Sequence, residues 1–256
     1  MFVEERQQRI LERLRQQGKV TVEELVGAFS VSAPTVRADL AALEARHLLR
    51  RTHGGALPAT GSLYEPPYAE RATDRADDKR RIGQAAAELV QPGETVLLDA
   101  GTTAHEVGIA LLASGKERIT VVTNNLPTLM ALMDAPGLTL ISVGGEVQPR
   151  RRAALGPLTV EFLRPIRADW LFFGVNGLDP VAGLTVADFE VAQVKRAMMH
   201  AASTTVVVAD SSKFERVAFA HVAPLSVVPL LITDKQLSTE ATHVLRDAGI
   251  GEIRRV

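Results

Sequence analysis

The 256-residue chain contains no cysteine. Disulfides are therefore excluded, and so is any thiolate metal site. Long apolar runs are missing too: none approaches the roughly 20 residues that a membrane-spanning helix needs. The opening stretch "MFVEERQQRILERLRQQGKV" is too charged for a secretory signal. Together these features set a cytoplasmic location, away from the membrane, as the expectation. Six histidines are present, but no H-x-x-x-H spacing occurs, so neither a metal nor another cofactor is expected. Neither G-x-S-x-G nor a Walker pattern is found, which removes the commonest hydrolase and nucleotide-binding classes. Net charge is nearly absent at −1, so only its distribution is informative. Residues 1–57 hold nine Lys/Arg against seven Asp/Glu, a local excess of +2. That sign favours contact with a polyanion.

What is present points to two parts. The length exceeds that of one compact domain of usual size, and 46% hydrophobic with 23% charged residues fits a soluble globular protein. Val3, Ile10, Leu11 and Leu14 share one helical face, and Gly18 ends that helix. Thr21 followed by Glu24 predicts a capping box opening a second helix, which buries Leu25, Val26 and Phe29. A third amphipathic helix starts at Ser32 and runs through Val36, Leu40 and Leu43, with Pro34 tolerated in its first turn. "LLRRTHGGALP" reads as two short extended pieces around a turn, a β-wing.

The spacing thus predicts a winged helix-turn-helix over residues 1–57, against the alternative of a small packing module with surface arginines. Ser32, Thr35 and Arg37 fall on the opening turns of the third helix, the part that such motifs lay in the major groove. Arg37 can bond a guanine bidentately or hold a phosphate. Arg6 and Arg9 on the first helix, with Arg50, Arg51 and His53 at the wing, are the candidate phosphate clamps. Double-stranded DNA is the expected partner.

Residues 58–76 are rich in Pro, Gly, Thr and charge and read as a linker. From Asp77 to Val256 short apolar strands alternate with helices, which predicts a mostly parallel α/β sheet covered on both faces. In such sheets ligands bind at the carboxyl ends of strands. Five polar loops fall at strand ends: "DAGTT" (99–103), "TNN" (123–125), "GGE" (144–146), "GVNG" (174–177) and "ADSSK" (209–213). Glycines admit close backbone approach, helix starts favour anions, and Thr102, Thr103 and Lys213 add donors and charge. One pocket for a small, polar, anionic ligand is the shared expectation. Glu190 and Lys195 lie five apart, off a common helical face, and solvated surface is their plainest reading.

The stretch "VTVEELVGAFSVSAPTVRADLAALEARHLLRRTHGGA" resembles the winged helix-turn-helix of DeoR/GlpR-type bacterial transcription regulators. The remainder resembles that family's C-terminal sensor: "LDAGTT", "VVTNN", "GGE", "LGPL", "FGVNG", "GLT", "VKRAM" and "ADSSKF" occur in that order. The resemblance implies an α/β sensor similar to ribose-5-phosphate isomerase, in a repressor released from operator DNA by a phosphorylated sugar or a relative of one. It implies an effector site lined by Asp99, Gly101, Thr102 and Thr103, and surrounded by Thr123, Asn124, Gly144, Gly145, Glu146, Asn176, Glu190, Lys195 and Lys213. Two departures stand out. The isomerases carry an acid-rich "DGADE" where this chain has "FGVNG", and family members carry Asp where this chain has Asn176.

An aldose–ketose isomerase needs a carboxylate base at the substrate and a group to manage the oxyanion. The acids are absent from "FGVNG", so the binding parts are kept and the proton-transfer parts are lost. That favours a sensor over the alternative, an isomerase-like enzyme with a DNA-binding appendage. A homodimer or homotetramer is expected, because helix-turn-helix readers pair two half-sites.

Overall fold

Helix α1 (Val3–Gln17) ends at Gly18 in the left-handed conformation, φ 70°. The structure, a computed structural model, describes residues 2–45, 48–58 and 64–256, with the side chains of Arg15, Gln16, Arg50 and Pro58 left out. Strand β1 (Val20–Thr21) leads into helix α2 (Val22–Phe29), and the capping box forms as expected. Thr21 Oγ1 accepts from the Glu24 N–H at 3.2 Å, while Glu24 Oε2 accepts from the Thr21 N–H at 2.8 Å. Helix α3 (Ala33–Ala45) follows, then the wing strands β2 (Leu49–Thr52) and β3 (Gly55–Pro58). Strand β3 lies between β1 and β2, pairing antiparallel with each. Ile10, Leu14, Leu25, Val36, Leu40 and Leu43 form this unit's core.

The chain divides into two compact units, Met1–Pro66 and Pro67–Val256. The second begins earlier than the expected Asp77. Helix α4 (Tyr68–Thr73) occupies part of the predicted linker and packs on the sensor unit. It is six residues long with one fully buried side chain, Tyr68. That is too short for a periodic signal, so composition alone suggested a loop.

Helix α5 (Ala76–Leu89) precedes the alternating part: β4 (Thr95–Leu98), α6 (Thr102–Ala113), β5 (Ile119–Thr123), α7 (Leu126–Leu132), β6 (Leu138–Ser142). A hairpin, β7 (Glu146–Gln148) and β8 (Ala153–Leu155), and α8 (Pro157–Leu163) come next. Then follow β9 (Ala168–Phe173), β10 (Gly177–Asp179), β11 (Gly183–Val186), α9 (Phe189–Ala201) and β12 (Ala202–Val208). Strand β13 (Ala220–Ala223), β14 (Leu230–Thr233), α10 (Thr239–Asp247) and β15 (Glu252–Arg255) complete the unit.

Seven strands form one parallel sheet in the order β15-β14-β12-β9-β4-β5-β6. The chain runs outward from β4 through β5 and β6. It then returns to β9 on the other side of β4 and runs outward again. Strand order therefore reverses between β4 and β9, and ligands in open α/β sheets bind outside the carboxyl ends at such a point. Alternate residues feed opposite faces: Leu98 and Phe172 join the core under α5 and α6, while Leu97 and Phe173 join the core under α8, α9 and α10. Helices α5 and α6 approach closely at Gly83, where a Cβ would stand 2.6 Å from the Glu106 carbonyl carbon.

Lys79 of α5 is buried and donates from Nζ to the carbonyl oxygens of Arg71 and Asp74, closing the turn between α4 and α5. Burial lowers its pKa from 10.5 to about 8. A neutral amine still offers two N–H donors to the two carbonyls. The unfolded chain keeps this proton up to about pH 10.5, so between pH 8 and 10.5 it binds more protons than the folded chain. Stability from this group therefore rises with pH across that window. Urea midpoints of wild type relative to Lys79→Met are expected to climb from pH 8 to pH 10; a pH-independent difference would refute the lowered value.

Candidate functional site

The reversal point places Asp99, just after β4, beside Gly174, just after β9. Asp99 is 1% exposed. Its Oδ1 accepts from the Gly101 N–H at 2.8 Å, and its Oδ2 accepts from the Gly174 N–H at 3.3 Å. The same Oδ2 forms an ion pair with Lys195 Nζ, which reaches it from α9 and lies 5.4 Å from the Phe173 ring centroid. The acid is thus neutralised and both its oxygens are bonded.

Helix α6 starts directly above this pair. Gly101 is its N-cap and no side chain caps it. Its first-turn N–H groups lie at the positive end of a 12-residue helix, with Thr102 and Thr103 buried beside them. Alongside, Asn125 caps α7 and donates from Nδ2 to the Gly101 carbonyl at 3.4 Å. Asn124 donates from Nδ2 to the Ala154 carbonyl at 2.8 Å, while its Oδ1 is buried without a partner.

The β7–β8 hairpin brings three consecutive arginines to this edge. Arg151 pairs with Asp188, the N-cap of α9, at 3.5 Å, and donates to Gln148 Oε1 at 3.3 Å. Gln148 in turn donates to Glu190 Oε2 at 2.9 Å. Arg152 stands 5.7 Å from the Tyr68 ring centroid, as does Arg71. Further along, Asp210 follows β12 and is buried beside Lys213 and Arg75, each at 3.7 Å. Burial pushes this carboxyl up, but Lys213, a Ser212 hydrogen bond, Lys79 and Arg75 outweigh it and hold it below its ordinary value.

In the first unit, Ser32 Oγ lies 2.8 Å from Thr35 Oγ1 and accepts from the Thr35 N–H at 3.3 Å, so it caps α3. Arg37 is exposed, next to the buried Val36. Arg9 is exposed and paired with Glu5 at 2.8 Å. Arg51 is exposed at 3.9 Å from Glu44, and His53 is exposed in the wing turn.

Residues 6–60 match the family described as the DeoR-like helix-turn-helix domain, and residues 74–235 match the DeoR C-terminal sensor domain. The chain belongs to the DeoR family. Similar proteins include the glycerol-3-phosphate regulon repressor of Escherichia coli (strain K12), 36% identical over 93% of this chain and 93% of that protein. The transcriptional repressor AccR of Agrobacterium fabrum is 36% identical over 92% and 91%, and GlcR of Bacillus subtilis (strain 168) is 34% identical over 92% and 90%. Among solved structures, a D-ribose-5-phosphate isomerase in complex with phospho-erythronic acid matches 54% of each chain with a TM-score of 0.40 and 14% identity. The protein is a DeoR-type transcriptional regulator and not an enzyme.

The geometry of this DeoR-family member revises several of the expected roles. Arg6, expected as a phosphate clamp, is turned inward instead. It is 7% exposed, and its guanidinium grips Asp39 at 2.5 and 3.1 Å, tying α1 to α3. The Asp39 hydrogen bond raises the Arg6 pKa further, against burial. Thr123 is fully buried with its hydroxyl donating to the Leu98 carbonyl at 2.7 Å and accepting from the Asn125 N–H at 3.1 Å, so it pins β5 to β4. Asn176 takes the Ala187 N–H at 3.0 Å and bonds Thr185 through its own N–H, closing the start of the β10–β11 hairpin. The "GGE" loop supports α8: Thr159 Oγ1 donates to the Gly144 carbonyl at 2.9 Å, and Gly145, at φ 147°, has no room for a Cβ against that hydroxyl. Glu146 is exposed.

Other expected residues converge. Asp99, Gly101, Thr102, Thr103, Asn124 and Lys195 share the edge above β4 and β9, and Lys195 is buried rather than solvated. Glu190 is exposed and reaches this edge through Gln148, while Lys213 sits with Asp210. The Arg50 side chain lies outside the described residues. Tyr68, Arg71, Arg151, Arg152 and Lys79 are not among the expected residues, and Asp210 lies in the expected "ADSSK" loop. The run "PRRR" was a visible signal for two of them; the buried Tyr68 left none. Among the described residues, no helix is long and apolar enough to cross a membrane.

Proposed function

We propose that this regulator represses sugar-catabolism genes and leaves operator DNA when a phosphorylated sugar, or a related metabolite, occupies the crevice above β4 and β9. One observation carries this reading. An uncapped helix N-terminus stands beside a buried acid already neutralised by Lys195. That arrangement suits an anion. The glycerol-3-phosphate regulon named for the E. coli relative makes glycerol 3-phosphate a first probe, and ribose 5-phosphate a second. The proposal includes a cytoplasmic homodimer or homotetramer, each dimer pairing two half-sites. Ser32, Thr35 and Arg37 read bases, and Arg9, Arg50, Arg51 and His53 hold phosphates. Effector affinity must differ between the DNA-bound and free states, or nothing is switched.

The test uses duplexes selected from a random pool by the protein itself. Arg37→Ala is expected to weaken their binding by about 1–3 kcal/mol. Thr103→Val is expected to keep the DNA complex but to resist release by the probes. Unchanged anisotropy titrations with Arg37→Ala would remove the base contact. A wild-type complex that no phosphorylated probe releases would overturn the sensor reading.

A further inference from the structure

The seven-stranded sheet ends in β15 on one side and β6 on the other, and the two edges differ in chemistry. Strand β15 carries Glu252, Arg254 and Arg255 within its four residues. Charges of this kind blunt an edge against pairing with another chain. Strand β6 reads Leu-Thr-Leu-Ile-Ser, with neither a charge nor a proline to blunt it.

Its backbone is set for pairing. The Gly137 carbonyl accepts from the Arg118 N–H at 2.7 Å, and the Val143 N–H donates to the Thr123 carbonyl at 2.9 Å. Odd-numbered positions here thus turn their polar backbone groups toward β5, in the register of that parallel pair. Strand residues alternate, so the N–H and C=O groups of Leu138, Leu140 and Ser142 face away from the sheet. Among the described residues, no strand pairs with them. Helix α7 packs beside this edge. Leu126, Leu129, Met130 and Met133 join Leu140 and Ser142 in lining a surface cavity of about 310 Å³. Each of these side chains is uncharged, and Met130 and Met133 are 69% and 61% exposed.

We infer that β6 is the seam between two copies of this chain, paired antiparallel across a twofold axis through Leu140. The inference rests on the oligomer of the proposed function and assigns its contact surface. The strand is complementary to itself. In this register Leu138 faces the partner's Ser142, and Leu140 faces the partner's Leu140. Every outward N–H then meets an outward C=O, with none left over. The axis stands perpendicular to the sheet, so both copies of α7 lie on one face and their exposed methionines come to lie beside the seam. The contact is isologous and therefore closes. The doubled sheet keeps only its charged β15 edges, which resist further addition.

The chain has no cysteine, so a single introduced one reports the register. Directly opposed Cα atoms in a hydrogen-bonded antiparallel pair stand about 5.5 Å apart, within disulfide reach. Full-length Leu140→Cys is expected to form an intermolecular disulfide in most of the protein on mild oxidation. Ser142→Cys would stand about 14 Å from its own copy and is expected to stay reduced. Met130→Glu combined with Met133→Glu places like charges beside the seam at exposed positions. That variant is expected to halve the mass found by light scattering, with an unchanged circular dichroism spectrum. Equal cross-linking of the two cysteine variants would mean random collision and would overturn the pairing. If wild type is an oligomer whose mass the two glutamates leave unchanged, β6 is not the seam, while the oligomer of the proposed function stands. If wild type is a monomer at every concentration, both fall, and the edge is left to a strand of another protein.

Discussion

Arg6→Ala is expected to abolish DNA binding by unfolding the first unit, not by removing a phosphate contact. The variant leaves Asp39, 4% exposed, without its guanidinium, and Gln7 at 3.3 Å is too weak a replacement. Removing one partner of a buried ion pair costs about 3–5 kcal/mol. A unit of this size has roughly 3–10 kcal/mol in total. Hydrogen exchange of the α1 and α3 amides in the full chain would report the loss. The double change Arg6→Met with Asp39→Leu separates the two possible roles. Apolar residues of similar volume often replace a buried pair without loss of stability. The double variant is therefore expected to refold and to bind selected duplexes again. A folded double variant that fails to bind would restore Arg6 to the DNA interface.

Lys195→Met is expected to have a comparable effect in the sensor unit. Asp99 would stay buried with only the Gly101 and Gly174 N–H groups for company. The expected loss is about 3–5 kcal/mol, read as a lower urea midpoint for the sensor transition. Adding Asp99→Asn removes the stranded charge and is expected to recover most of that loss. A single Lys195→Met variant as stable as wild type would mean that the pair does not form.

Elements with their own local signal were legible in advance. The Thr21–Glu24 capping box needs only two residues three apart, and it formed with both bonds. The three helices and the wing of the first unit follow from amphipathic spacing and a turn signal. The continuous apolar strands announced a parallel sheet, and the loop Asp99–Thr103 could be placed at a strand end because a strand and a helix flank it. Short pieces gave no such signal: α4 and the strands of the β7–β8 hairpin are too short to show a period.

Chemistry with a distant partner was not legible. Arg6 and Arg37 look alike as letters. One has Asp39 from another helix packed against it, and the other faces solvent. Lys195 and Glu190 share a helix, yet α9 turns the lysine into the core toward an acid 96 positions earlier and leaves the glutamate outside. Thr123 and Asn176 are polar residues at strand ends, but their bonds close the scaffold itself.

The sequence by itself determined the kind of protein, a winged helix-turn-helix joined to a parallel α/β sensor, because helix caps, periodicity and strand-end loops are local and repeat along the chain. The tertiary structure alone decided which side of β4 receives β9. That choice sets Asp99 beside Gly174 and buries Lys195 on Asp99. The physical reason is burial: a charge or hydroxyl away from water must find its partner across the fold, and no local pattern encodes where that partner will stand.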